Sequence, residues 1–247
     1  MTDSSEKIKE LKELVANSNN IVFFGGAGVS TESGIPDFRS ENGIYNTIEK
    51  YGESPETILS HSYFLNNTSE FYKYYKETII HKSAKPNNAH LAIAKLEKLG
   101  KIKAVVTQNI DDLHQKAGSE NVFELHGSIM RNYCMNCKAS YDIDYIIDSE
   151  DIPICDKCGG IIKPDVVLYQ EPLNNVIMRK SIEYIANAEV LIIGGTSLIV
   201  YPAAGLVEYF NGDNLVLINK GDTSYDDYAS LVINESIGKV FKEVISE

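Results

Sequence analysis

The four cysteines of this 247-residue chain are Cys134, Cys137, Cys155 and Cys158. They form two C-x2-C units separated by seventeen residues. In that arrangement two short turns each offer a pair of thiolates to one tetrahedral ion. Disulfides are the competing reading. The polar, charged N-terminus "MTDSSEKIKELKELV" does not read as an export signal, however, and thiols in a cytoplasmic chain stay reduced. One zinc ion is therefore expected, and four sulfur ligands leave no open position, so its role is structural.

Other residues point to chemistry on a nucleotide. In "IVFFGGAGVSTESGIPDFRS", residues 21–40, an apolar strand runs into Gly25-Gly26-Ala27-Gly28. This resembles the start of the dinucleotide fingerprint G-x-G-x-x-G, but Thr31 stands where the third glycine belongs. "TQNIDDLHQKAG" brings the amides of Gln108 and Asn109 and the carboxylate of Asp111 together, and "ELHGS" adds His126. A histidine of near-neutral pKa is the natural general base for a hydroxyl proton. Plainer roles compete with these. Asp111 could cap the helix that starts there, Asp112 is better placed to do so, and His114 reads as structural. Most lone histidines are not catalytic, so His126 gains weight only from its company.

These residues need a scaffold that brings them to one edge. Four near-continuous apolar runs, "IVFF", "AVV", "VLII" and "LVLI", each end in polar or glycine residues, as strands buried on both faces do. Helical stretches alternate with them. Ile8, Leu11 and Val15 share one face of a first helix. "NNAHLAIAKLEKLG" offers Asn88 as N-cap and Gly100 as stop. "NNVIMRKSIEYIANA" is another helix, and "PAAGLVEYF" places Pro202 at a helix start. The alternation predicts a Rossmann-like doubly wound parallel sheet, an α/β fold whose ligands bind beyond the carboxyl ends of the strands. Residues 1–39, 86–127 and 166–247 would build it. Two insertions, 40–85 and 128–165, would pack together into a small helical, zinc-ribbon domain.

Composition narrows the function. Hydrophobic residues make up 43% and charged residues 23%, as in a globular enzyme, and no apolar run approaches a membrane span. A net charge of -12 argues against nucleic acid and is compatible with cationic peptide partners. The expectation is a cytoplasmic monomer.

Taken in order, "GAGVSTESGIPDFR", "TQNIDDLH", "LHG", the two C-x2-C pairs, "KPDVVLYQE", "GTSLIVYPAA" and "INK" resemble the sirtuins, NAD-dependent protein-lysine deacylases. The likeness runs from residue 21 to the C-terminal helix and leans toward the small bacterial deacetylases. It implies a site that breaks the nicotinamide–ribose bond of NAD rather than holding the cofactor for hydride transfer. The departure from the third glycine then marks a lid. Ala27 and its loop would hold the pyrophosphate, with Thr31, Phe38 and Arg39 on a mobile cofactor-binding loop that excludes water. Gln108 would contact the ribose, and Asn109 would orient the ribose or water. Ile110 and Asp111 would line the nicotinamide pocket. Thr196, Ser197, Asn219 and Ile237 would bind the adenosine half. His126 would draw a proton from the ribose 3′-hydroxyl and through it activate the 2′-hydroxyl. Products would be free lysine, nicotinamide and O-acetyl-ADP-ribose. "KPDVVLYQE" would pair with substrate peptide by β-augmentation, with Val167, Tyr169, Phe38 and Val200 around the acetyl-lysine tunnel.

The chain departs from the family pattern at several positions. Gln170 replaces the usual glycine before the glutamate of that strand, Tyr169 replaces the common phenylalanine, and Gly25 replaces a frequent threonine. Relatives that prefer succinyl or malonyl groups carry Tyr-x-x-Arg. Here Tyr72 is followed by Tyr75, and Lys76 is no geometric equivalent of a guanidinium, so acetyl is expected first. Three other readings stay open: a mono-ADP-ribosyltransferase transferase activity on the same scaffold, an NAD-dependent dehydrogenase, and an NAD-sensing zinc-ribbon scaffold.

Overall fold

The computed structural model describes residues 2–37 and 47–246. In chain order the strands are β1 (Ile21–Gly25), β2 (Ile102–Thr107), β3 (Val122–Glu124), β4 (Gly127–Cys134), β5 (Ser140–Tyr141), β6 (Ile162–Val166), β7 (Val190–Gly194), β8 (Asn214–Ile218) and β9 (Leu231–Ile233). Six of them form a parallel sheet in the order β3-β2-β1-β7-β8-β9. The four apolar runs became β1, β2, β7 and β8, and the short β3 and β9 close the two edges. Every residue of β1 and β7 is buried, because each has a strand on both sides and helices cover both faces.

One face packs under the helices Thr2–Asn17, Asn88–Lys98 and Ile237–Val244, with Leu11, Phe23, Ile93 and Phe241 at its centre. Phe23 meets Phe241 edge to face at 5.8 Å between centroids. The other face packs under Asn175–Ala186 and the 3-10 turn Ala203–Tyr209, whose start Pro202 occupies.

The order reverses between β1 and β7, and there the two glycine loops meet. Gly28 N donates to Gly195 O at 2.8 Å, and Gly26 N to Gly194 O at 3.2 Å. A Cβ on Gly195 would lie 2.4 Å from Val29 N, at a φ of +61° that already disfavours a side chain. The glycine cluster thus lets two backbones touch at the crevice where such sheets bind ligands. Gly195→Ala is expected to lower stability by roughly 2–4 kcal/mol through overpacking and left-handed strain, and to weaken binding of the dinucleotide that the sequence resemblance places at this crevice. Thermal denaturation and a cofactor titration check both effects. A variant of unchanged Tm and affinity would refute this account of the loop.

The helix Asn88–Lys98 is capped by Asn87, not by Asn88 as its sequence suggests. Asn87 Oδ1 accepts Ala89 N at 2.9 Å, while His90 Nδ1 accepts Asn87 N at 3.3 Å. Capping from Asn88 would put Leu91, which offers no polar atom, at the reciprocal position. Asn87 Nδ2 also donates to Val29 O at 2.7 Å, tying the helix start to the glycine loop.

Residues from 59–80 and 129–168 share a core of their own beside the sheet. β4, β5 and β6 make an antiparallel sheet in the order β5-β4-β6. The helices His61–Asn66 and Thr68–Tyr74 cover it. Phe64, Phe71, Tyr72 and Tyr75 from the first insertion share a core with Ile129, Ile143, Ile146 and Ile162 from the second. The Tyr72 hydroxyl, buried so that its pKa is raised, donates to Ile162 O and joins them. No helix among the described residues is long and apolar enough to cross a membrane.

Candidate functional site

The site lies beyond the carboxyl ends of β1, β2, β3 and β7. Asn109 N, just past β2, donates to Thr107 Oγ1 at 3.0 Å, which turns the chain out of the strand. Gln108 N donates to Gly25 O at 2.9 Å, and Gln108 Nε2 to Thr196 Oγ1 at 3.2 Å. The ends of β2 and β7 are therefore bridged over the end of β1.

Asn109 and Asp111 are joined through a residue that the sequence reading missed. Ser30 Oγ donates to Asp111 Oδ2 at 2.6 Å and accepts from Asn109 Nδ2 at 3.1 Å. The only sequence signal for Ser30 was its place just after the glycine cluster. Asp111 also caps, as one reading allowed: its Oδ1 accepts Leu113 N at 2.9 Å. Asp112, the better-placed cap by position, makes no such bond, since its φ of 66° is left-handed. His114 is structural as expected. It is buried against His90 with ring centroids 4.8 Å apart, and burial pushes its pKa well down.

His126 follows β3. Its Nδ1 lies 2.9 Å from Gln108 O. A carbonyl only accepts, so Nδ1 carries the proton and Nε2 is the basic nitrogen. The next residue, Gly127, has a φ of +78°, and a Cβ there would lie 1.9 Å from Asp165 O. Only glycine lets β4 and β6 meet at that point. Val167 N donates to His126 O at 3.0 Å, so the expected substrate strand is anchored on the expected base.

Upstream, Glu124 is buried and its pKa is raised by that burial. Arg131 Nη2 contacts Glu124 Oε2 at 2.8 Å, and Arg131 Nε contacts Asp165 Oδ2 at 2.8 Å, clamping β3 to the small domain.

The remaining predicted positions are spread along the same edge. Ala27 and Ile110 are half-buried and Thr31 is exposed, its Oγ1 donating to Gly28 O at 3.0 Å. Ser197 is exposed and Val200 half-buried. Asn219 directly follows β8, and its Nδ2 donates to Gly221 O at 2.9 Å. Ile237 is buried at the start of the last helix, against Gly194. Tyr169 is half-buried beside residues 59–61. Phe38 and Arg39 lie outside the described residues.

The four cysteine sulfurs lie within 4.8 Å of one another, with Cys134–Cys158 at 3.4 Å and Cys137–Cys155 at 3.6 Å. Four bonds of about 2.3 Å to a tetrahedral zinc set sulfurs about 3.8 Å apart, so the cluster fits that ion. Cys134 and Cys155 are buried and Cys137 and Cys158 exposed.

A doubly wound sheet with a glycine loop at its switch point and a four-cysteine cluster carried between its strands defines a class of α/β proteins built to hold a nucleotide at that crevice. A model of the Sir2 family matches residues 26–202. The chain belongs to that family. It is 61% identical over 241 residues to an NAD-dependent protein deacetylase of Clostridium acetobutylicum, covering 97% of this chain and 98% of that protein. Among solved structures it is similar to a Sir2 complex with a deacetylated p53 peptide and 3'-O-acetyl ADP ribose, at a TM-score of 0.88 and 40% identity, covering 96% of this chain and 97% of that one. It is also similar to Sir2Tm bound to a propionylated peptide, at a TM-score of 0.84 and 40% identity, with 97% of each chain covered.

Proposed function

We propose that this chain is an NAD-dependent protein-lysine deacetylase, with His126 as its general base. The observation that carries the reading is the Nδ1 contact of His126 with Gln108 O at 2.9 Å. It fixes the tautomer and holds the basic nitrogen at the edge where Ser30 gathers Asn109 and Asp111. NAD, consumed as co-substrate, supplies the ADP-ribosyl group that accepts the acetyl.

The protein's own residues do the rest. Gln108 and Asn109 orient the ribose, and His126 takes a proton from its hydroxyls. Ile110 and Asp111 form the nicotinamide pocket. Ala27 and Thr31, with Phe38 and Arg39, hold the phosphates and the reacting ribose. Thr196, Ser197, Asn219 and the backbone at Ile237 receive the adenosine. Val167, Tyr169 and Val200 line the way for the acetyl-lysine side chain. The sheet domain, 1–39, 86–127 and 166–247, carries the cofactor, and the insertions 40–85 and 128–165 frame the peptide. The net charge of -12 favours lysine-bearing polypeptides over nucleic acid, and the protein acts as a cytoplasmic monomer.

Incubation with NAD and an acetyl-lysine peptide, followed by mass spectrometry, tests the reading. Loss of acetyl with stoichiometric nicotinamide and O-acetyl-ADP-ribose is expected. ADP-ribose attached to protein would move the assignment to the transferase, and cofactor binding without nicotinamide release would leave a scaffold.

Acyl preference follows from the small domain. Tyr75 is fully buried and its hydroxyl has no hydrogen-bond partner among the described residues. Lys76 Nζ is occupied by Ser149 O at 2.6 Å, Ser149 Oγ at 2.6 Å and Asp151 O at 2.9 Å. Neither presents a fork to an acyl carboxylate. With matched peptides, acetyl should be removed at least roughly tenfold faster than succinyl, the factor a missing charge-assisted hydrogen bond commands. Succinyl removed as fast as acetyl would overturn this.

A further inference from the structure

We propose that Gln170 is a positioning residue for the substrate polypeptide: its side chain, bonded to Ser62, holds in place the backbone edge that pairs with the peptide. The inference rests on the deacetylase reading above and names the device that sets peptide register.

Leu168, Tyr169, Gln170 and Glu171 form a tight turn, closed by Glu171 N donating to Leu168 O at 3.0 Å. Gln170 is its third residue, with a φ of +75°. Glycine or asparagine is the ordinary choice at such a position, because a Cβ crowds the backbone there. Some compensation must keep glutamine in this conformation. Its Oε1 accepts Ser62 N at 3.0 Å. Ser62 is in the first turn of the helix His61–Asn66, where backbone N–H groups lack intrahelical partners. The side chain thus satisfies an orphan donor and fixes the turn at once.

An account of the backbone groups shows what the latch presents. Val167 N is used by His126 O. Leu168 N donates to Glu171 Oε2 at 2.9 Å, and Leu168 O closes the turn. Tyr169 N donates to Leu59 O at 3.0 Å, and Tyr169 O accepts His61 N at 2.9 Å. Glu171 is held in turn by His61 Nδ1 at 2.7 Å and Lys163 Nζ at 3.0 Å. Gln170 is exposed, and its own N–H and C=O make no hydrogen bond to any described residue. These are the groups a strand-adding peptide needs, one donor and one acceptor on a rigid mount. Pre-ordering them means that binding does not have to order them.

The test compares Gln170→Gly, Gln170→Met and Gln170→Glu with the parent protein. Glycine relieves the left-handed strain but frees the turn, methionine keeps the length without the acceptor, and glutamate keeps an acceptor oxygen for Ser62 N. In the Gly and Met variants the KM for an acetyl-lysine peptide should rise about fivefold, the factor one ordinary hydrogen bond commands. The KM for NAD, kcat and Tm should stay near the parent values, and the Glu variant should return the peptide KM to within about twofold of the parent. An unchanged peptide KM in both Gly and Met variants overturns the proposal. So does a parallel rise in the KM for NAD, which would mark a merely structural role. Calorimetric binding of the same peptide needs no turnover, so the edge is tested even if the parent protein fails to deacetylate and the functional reading falls. Equal peptide affinity across all four proteins would then refute the latch on its own.

Discussion

Replacing His126 by alanine is expected to lower deacetylation by about 10²–10⁴-fold, the span that a positioned acid–base group supplies. The fold should survive. His126 is half-buried, and the bond that ties it to Val167 uses its backbone carbonyl, which alanine keeps. What disappears is the imidazole held by Gln108 O, and with it the basic Nε2. Release of nicotinamide needs no proton removal by His126, so exchange of labelled nicotinamide into NAD should persist in the variant. That split separates loss of a base from loss of the site. Equal loss of exchange and deacetylation, in a protein of unchanged Tm and NAD affinity, would show that His126 is not the base. Asp111→Asn should give the opposite pattern. It leaves size nearly unchanged but weakens acceptance from Ser30 Oγ and Leu113 N, so nicotinamide exchange should suffer at least as much as deacetylation.

How much of this was legible in the sequence depended on whether the signal was local. Unbroken apolar runs marked the central strands, because burial on both faces leaves no polar period to confuse them. The edge strands β3 and β9 are three residues each, too short to carry a pattern. The spacing of the cysteines gave the metal cluster outright, since four sulfurs in two turns have few other geometries. Asn109, Asp111 and His126 could be singled out by type and company, but Ser30, which joins Asn109 to Asp111, lies 79 and 81 residues away from them in the chain. Nothing local distinguishes that serine from Ser33. The cap at Asn87 instead of Asn88 was decided by His90 three residues on, a histidine in the role more often played by glutamate or glutamine. Gln170 stood out as a departure, yet its meaning needed the φ angle and the partner Ser62, neither of which is written in one sequence.

Removing zinc should cost the protein its activity as well as its small domain. Structural zinc sites contribute apparent binding energies of about 10–16 kcal/mol at neutral pH, several times what a core of this size could replace. Cys134 ends β4, and Cys155 with Cys134 belongs to the same buried cluster as Phe64, Phe71 and Tyr72. Four thiolates brought within 4.8 Å without a cation repel one another, so the metal-free cluster favours opening. The consequence reaches the site along the chain. β4 starts at Gly127, one residue after His126, and β6 ends at Val166, one residue before Val167. Those two strands pair with each other, so melting the module frees both sides of the His126–Val167 contact. The six-stranded sheet should persist, because its two cores contain no residue of the module between 128 and 165. The expected result is one zinc per chain by elemental analysis. Chelation or Cys134→Ser should abolish deacetylation while leaving a cooperative unfolding transition for the sheet, and zinc should restore activity to the chelated parent but not to the variant. Full activity in protein stripped of zinc would refute the coupling and would leave the cysteine cluster without a part in holding His126.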